Sequence, residues 1–234
     1  MTEIKIVGEV GGWEIDPADI VAQVNSANDD IELFIDSPGG VVVGGYSIYN
    51  ALKSYQNGKV YAKIDAVAAS IASYIAMAAE EIEVRENSIF MIHNAWLPAI
   101  GDHRELRKVA DIGEALTNII ALAYNSKTGK DIKVIQKLMD EESYFFGKEI
   151  VDMGFANRVS TSKDDSIDKA AAYALMSEKL KSCNNSIYKH ANDVDLSAVA
   201  KLVLPKKESK DEKKVALSAK SLRDIQIFER EVLV

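Results

Sequence analysis

The sequence predicts an α/β fold in which strand–helix–strand units stack and parallel strands lie buried between helices. Three observations carry that reading. Short β-branched apolar segments alternate with segments whose apolar residues recur at helical spacing. Between Gly101 and Gly129 one apolar stripe continues far longer than an ordinary globular helix. Hydrophobic residues make up 47% of the 234 and charged residues 27%, which suffices for one sizeable core plus an appendage.

The elements follow in order. Residues 3–10 alternate as a strand does. Pro17 to Ala27 reads as a helix, with Pro at its start and Ile20, Val21 and Val24 at helical spacing. Ile31 to Ile35 is a short strand, closed by the turn residues Asp36-Ser37-Pro38-Gly39-Gly40. Val42 to Tyr55 is a helix with Tyr46, Ile48, Tyr49 and Leu52 on its apolar side. A strand from Val60 to Ile64 leads to a helix starting at Ser70, followed by strands at Glu81–Val84 and Ile89–Ile92. The long stripe comprises Leu106, Val109, Ile112, Leu116, Ile119, Ile120 and Ala123, and a helix of that length is expected to protrude and meet a partner. Asp131 to Met139 is a further helix, Lys148 to Met153 a short one capped at Gly154, and Phe155 to Val159 the closing strand.

The character changes after residue 160. Residues 1–160 are read as one domain and 161–204 as a mostly helical extension. Residues 205–215 form a charged linker of mixed sign, and 216–234 an amphipathic helix with Leu222, Ile225, Phe228 and Val232 on one side.

Composition narrows the function. A net charge of −8 and a pI near 5.0 argue against nucleic acid or an anionic membrane as the main partner. The single Cys183 excludes an intrachain disulfide and fits a reducing compartment. The start, Met1-Thr2-Glu3-Ile4-Lys5, lacks the basic and apolar regions of a signal peptide, so a cytoplasmic location is expected. No GxxxxGK[ST] phosphate loop is present, and neither a cofactor nor a metal is called for.

The chemistry concentrates in Asp65-Ala66-Val67-Ala68-Ala69-Ser70-Ile71-Ala72-Ser73 and, 23 residues after Ser70, in Met91-Ile92-His93-Asn94. A strand running into a helix with Ser at the junction exposes a hydroxyl beside the unbonded N–H groups of the helix start. A His at the end of a second apolar segment supplies a base. Gly39 and Gly40 let a backbone N–H approach a ligand closely, as an oxyanion donor must. Each signal alone has an ordinary structural meaning: an N-cap Ser, a structural His, a strand-ending turn. In combination they are the parts of an acyl-transfer site. His103 and His190 lie in charged contexts with no motif around them.

Phe34-Ile35-Asp36-Ser37-Pro38-Gly39-Gly40-Val41, Ser47-Ile48-Tyr49, Ala68-Ala69-Ser70 and Asn87-Ser88-Ile89-Phe90-Met91-Ile92-His93, in that order, resemble the proteolytic subunit of Clp proteases. Ile48 to Leu52 and Arg85 to Trp96 are more similar still to the Clp-like head maturation (prohead) proteases of tailed bacteriophages. The resemblance covers about residues 3–160 and is faint beyond, although Ser221 to Arg230 is similar to the C-terminal segment of several such phage proteases. It implies the Clp/crotonase-like fold and a catalytic Ser70, His93 and Glu142, the last placed by counting back from Gly154, with Asp140 and Glu141 as competitors. It implies an oxyanion hole of the Gly40 and Ile71 N–H groups. Substrate is expected to add as a strand at Gly39, Val41 and Val42, along a segment reaching Gly44.

The resemblance further implies a homo-oligomer, with a ring as one form it can take, built on the long helix and acting on protein or peptide. Clp subunits carry a longer segment ahead of the position of Ser37, including the part that contacts the ATPase, so an ATP-independent protease is expected here. A tethered terminal helix suits packaging with capsid or scaffold protein, which would place the chain in host cytoplasm or inside the prohead. Three alternatives remain: a bacterial Clp-like proteolytic subunit or signal-peptide-peptidase relative, a crotonase-fold acyl-CoA enzyme, and a non-catalytic assembly protein that kept the fold. The Ser–His spacing argues against the crotonase chemistry, which usually relies on Glu.

Overall fold

In the computed structural model, the described residues are 1–160 together with Glu178. Apart from Glu178, the extension 161–204 lies outside them, as do the linker 205–215 and the helix 216–234. Thirteen elements follow in the order β1 (Thr2–Val10), α1 (Pro17–Ser26), β2 (Ile31–Gly40), α2 (Val42–Ser54), β3 (Val60–Ala69), α3 (Ile71–Ala76), β4 (Glu81–Arg85), β5 (Ile89–Ile92), α4 (His103–Thr128), α5 (Ile132–Asp140), β6 (Ser143–Phe146), α6 (Lys148–Asp152) and β7 (Arg158–Ser160).

Strands β1-β2-β3-β4-β7 pair in that order and in parallel, as the strand–helix alternation predicts. Strands β1 to β4 bury alternate residues: Ile4 and Ile6, Ile31, Leu33 and Ile35, Val60, Ala62 and Ile64, Ile82 and Val84 are all at most 2% exposed. The intervening residues carry cross-strand ion pairs, Lys63 with Glu32, Arg85 with Asp65, and Arg158 with Glu83 and Glu81. Helix boundaries have local causes. Asp16 accepts the Ala18 N–H at 2.8 Å ahead of Pro17, and Asp102 and Glu105 form a capping box at the start of α4. Gly129 ends α4 in the left-handed conformation at φ 68°.

Two strands run further than their composition suggests. Asp36 to Gly40 does not turn out of the sheet; β2 continues through it, with Ser37 opposite Ala68 and with Glu9 and Val10 opposite Gly39 and Gly40. Register shifts between Val7 and Glu9 and between Ile35 and Ser37 absorb Pro38, which has no N–H for a regular ladder. The Ser37 hydroxyl, fully buried, donates to Gly8 O at 2.6 Å and accepts the Gly39 N–H at 3.1 Å. Likewise β3 extends to Ala69. Its first half pairs with β4 and its second half, Val67 to Ala69, with β5.

One element was not expected. The charged helix end around Asp140 to Glu142 gives way to β6, which pairs antiparallel with β5. Helix α4 spans the predicted stripe, but only Ile112, Leu116, Ile120, Ala121 and Tyr124 are buried, while Leu106 is 43% exposed. Its first turns therefore leave the core. The Tyr46 hydroxyl donates to Leu116 O at 2.8 Å and ties α2 to the buried half of α4.

Candidate active site

Ser70 sits between β3 and α3, and its backbone is unusual. At φ 55° and ψ −129° it occupies a region that L-residues other than Gly rarely adopt, a distortion of about 1–3 kcal/mol. The sharp strand-to-helix turn forces the hydroxyl outward while the backbone enters a helix whose six residues are all buried. Adjacent parallel strands do the rest. Ala69 pairs with Met91, and Ser70 N–H donates to Met91 O at 3.0 Å, so the residues just beyond the two strand ends lie side by side. Ser70 Oγ and His93 Nε2 are 2.6 Å apart. In the neutral tautomer with the proton on Nδ1, the hydroxyl donates and the imidazole accepts.

The antiparallel ladder brings in the acid. Ile92 pairs with Ser143, so His93 and Glu142 are the next residues facing one another. The Glu142 carboxylate acts on the ring through its charge and raises the His93 pKa, while the larger influence, desolvation by burial, lowers it. The net shift is downward, which keeps the imidazole neutral and able to accept a proton near pH 7. Glu142 holds φ 49°, also in the left-handed region, at the corner between α5 and β6. Its neighbours are otherwise engaged. Asp140 accepts from the Asn94 side chain at 2.8 Å, and Glu141 lies 3.7 Å from Lys137. Of the three acids left open by the sequence, Glu142 is the one whose charge reaches His93.

The glycine turn closes the other side. A Cβ on Gly39, at φ 105°, would lie 2.6 Å from Ser70 Cβ and 2.8 Å from Ala69 O. One on Gly40, at φ 143°, would lie 2.2 Å from Val10 O. Only glycines allow the backbone this close to the hydroxyl. Gly40, Val42, Ile71, Trp96, Ile120 and Tyr124 line a cavity shared with Ser70 and His93. Ile71 is the first residue of α3, a position whose N–H has no intrahelical acceptor.

Two expectations need correction or extension. Substrate pairing cannot run from Val41 to Gly44 as a strand, because Val41 N–H is held by Val10 O at 2.7 Å and Val42–Ser54 is helical. The amide of Val42, at the first position of α2, has no intrahelical acceptor. Ser73 closes the run that the sequence singled out, but its bond to Tyr124 was not foreseen. The Ser73 hydroxyl, fully buried, reaches Ser70 O at 2.6 Å, Met91 O at 2.8 Å and the Tyr124 hydroxyl at 2.8 Å. His103 is the exposed first residue of α4, and His190 lies outside the described residues.

A nucleophilic hydroxyl bonded to a neutral imidazole, an acid beyond it and a helix-start amide beside it can carry out acyl transfer. Fold and site together define a serine hydrolase of the α/β kind. Residues 18–163 match the family profile of Clp protease, which is more than half of the chain. Among curated proteins, the ATP-dependent Clp protease proteolytic subunit of Ligilactobacillus salivarius is 29% identical over 151 residues, covering 62% of this chain and 76% of that protein. The protein of the same name from Pleurastrum terricola is 27% identical over 166 residues, covering 68% and 84% respectively. The chain belongs to the Clp protease family, and it is a serine peptidase of that type.

Proposed function

We propose that this chain is an endopeptidase in which Ser70 is the nucleophile, His93 the general base and Glu142 the acid that stabilises the charged imidazole. The observation that carries the reading is the 2.6 Å contact between Ser70 Oγ and His93 Nε2, on a ring whose pKa burial has lowered. As Ser70 attacks a peptide carbonyl, its proton passes to His93, and the carbonyl oxygen gains negative charge. The N–H groups of Gly40 and Ile71 receive that charge, a contribution of about 2.7–4 kcal/mol per donor in comparable sites. His93 then protonates the leaving amine, and water hydrolyses the acyl-enzyme by the reverse proton path. Gly39, Val41 and Val42 form the substrate-facing edge, with Val42 N–H as its donor. A fluorophosphonate should label Ser70 and fail to label Ser70→Ala; equal labelling of both proteins would refute the nucleophile.

The substrate class we propose is capsid or scaffold protein cleaved during phage head maturation, without a partner ATPase. Two features support it: the resemblance of Ile48 to Leu52 and Arg85 to Trp96 to that group, and the 71 residues (234 less 163) that follow the family match. The names of the two relatives favour a second reading, general protein turnover as a Clp proteolytic subunit coupled to an ATPase. Mixing the protein with casein, with and without a Clp ATPase and ATP, and separately with unprocessed phage capsid protein, separates them. Processing of capsid protein alone, at defined sites, supports the first; casein degradation that requires the ATPase supports the second. We also propose a homo-oligomer assembled through α4, whose Leu106 and Leu122 are 43% and 57% exposed. A light-scattering mass equal to one chain would remove it.

A further inference from the structure

The buried hydroxyl pair Ser73–Tyr124 links three parts of the site that the peptide chain keeps apart. Ser73 has one proton to give and faces two carbonyl oxygens, Ser70 O at 2.6 Å and Met91 O at 2.8 Å, neither of which can donate. The Tyr124 hydroxyl, 2.8 Å away, must therefore be the donor in its bond to Ser73 Oγ. Burial pushes the Tyr124 pKa up, so this proton stays in place across the working pH range. The direction of the chain is fixed: Tyr124 to Ser73, then Ser73 to the two carbonyls.

Each of those carbonyls bears on the chemistry. Ser70 C=O and Ile71 N–H belong to one planar peptide unit, so anchoring the oxygen aims the N–H the opposite way. The same oxygen also receives Ser73 N–H at 3.1 Å and Tyr74 N–H at 3.4 Å. Met91 O accepts Ser70 N–H at 3.0 Å as well as the Ser73 hydroxyl, and lies two residues before His93. One hydroxyl thus holds the orientation of the proposed oxyanion amide and the spacing between the nucleophile and the strand that carries the base. Tyr124 fixes that hydroxyl from α4, and its own ring is wedged edge-on against Phe155 with centroids 5.7 Å apart.

We propose that Ser73 and Tyr124 are positioning residues that aim the Ile71 N–H at the developing oxyanion; this rests on the assignment of Ser70 as nucleophile. Their effect belongs to the transition state, because substrate binding does not require the amide to point at a tetrahedral oxygen. The double variant Ser73→Ala/Tyr124→Phe removes both hydroxyls together and leaves no orphaned polar group, so it should retain the fold. Its fluorophosphonate labelling should show the maximal rate kinact reduced about 10–100-fold, with the half-saturating concentration KI unchanged, a smaller loss than deletion of an oxyanion donor. Tyr124→Phe alone, which keeps the ring packing, should lose part of kinact in the same sense.

A folded double variant that labels at the wild-type kinact overturns the proposal, as does Tyr124→Phe at the wild-type rate should the double variant not fold. A rise in KI with kinact unchanged also overturns it, since that is a binding effect. A wild-type protein that takes no label on Ser70 removes the underlying nucleophile assignment instead, and the positioning role falls with it.

Discussion

His93 and Glu142 meet because the antiparallel pairing of Ile92 with Ser143 carries the next residue of each strand into apposition. His93 is delivered to Ser70 by a parallel pairing, Ala69 with Met91, and to Glu142 by an antiparallel one. Strand β5 is the shared member, so four residues, Ile89 to Ile92, set the geometry of the whole constellation.

That geometry dictates a pH profile. Burial lowers the His93 pKa more than Glu142 raises it, so the acid limb of kcat/KM should have its midpoint below about 6.5, the ordinary imidazole value. The sign for stability is the same. The folded state binds the proton less readily than the unfolded one, so this contribution is complete above about pH 6.5 and is lost as pH falls through the folded value. A peptidase pH titration with a midpoint above 7 would contradict the burial argument.

Neutralising the acid should slow the enzyme without unfolding it. Glu142 is exposed and acts on the ring through its charge, so Glu142→Gln should reduce kcat by about 10–100-fold, less than the ~10⁴ found where a triad acid is buried and directly bonded. The acid limb should also move to lower pH, because a raising influence has been removed. Asp140→Asn is the control, since Asp140 serves Asn94, and it should leave the limb where it is.

At Gly39 the added methyl of Gly39→Ala meets Ser70 Cβ at 2.6 Å and Ala69 O at 2.8 Å on a backbone of φ 105°. The variant should lose at least about 1–3 kcal/mol of stability and nearly all labelling of Ser70. Thermal melting together with the labelling rate checks both, and a stable, fully active Gly39→Ala would show that the backbone there has room to move.

Ser70→Gly should be inactive yet no less stable than the parent. Relief of about 1–3 kcal/mol of backbone distortion offsets the loss of one hydrogen bond of about 1 kcal/mol and the about 0.4–1 kcal/mol of chain entropy that Gly adds to the unfolded state. Chemical denaturation should show a midpoint at or above the parent's with an unchanged slope, whereas a fall of more than about 1 kcal/mol would mean that the Ser70 torsions carry no such distortion.

Much of this was legible in the sequence, for identifiable reasons. Helices α1 and α4 announce themselves through Pro17 and Gly129, residues whose backbone preferences coincide with what the helix ends require. Ser70 and His93 stood out because each terminates an apolar segment, and the structure brings the two side chains within 2.6 Å. The extension of β2 through Pro38, Gly39 and Gly40 was not, since those residue types ordinarily signal a turn and here are overridden by partners on both sides. Strand β6 escaped because Ser143-Tyr144-Phe145-Phe146 follows a charged helix end and lacks alternation. The Ser73–Tyr124 bond joins residues 51 apart, and no local pattern encodes a contact of that kind.

The complete burial of α3, from Ile71 to Ala76, separates the two halves of the site energetically. Loosening the nucleophile would mean opening the centre of the molecule, an excursion approaching global unfolding in free energy. Glu142 stands instead at an exposed corner, where solvent and salt reach its carboxylate. Whatever disturbs this corner therefore acts on His93 through the carboxylate and leaves the turn at Ser70 in place.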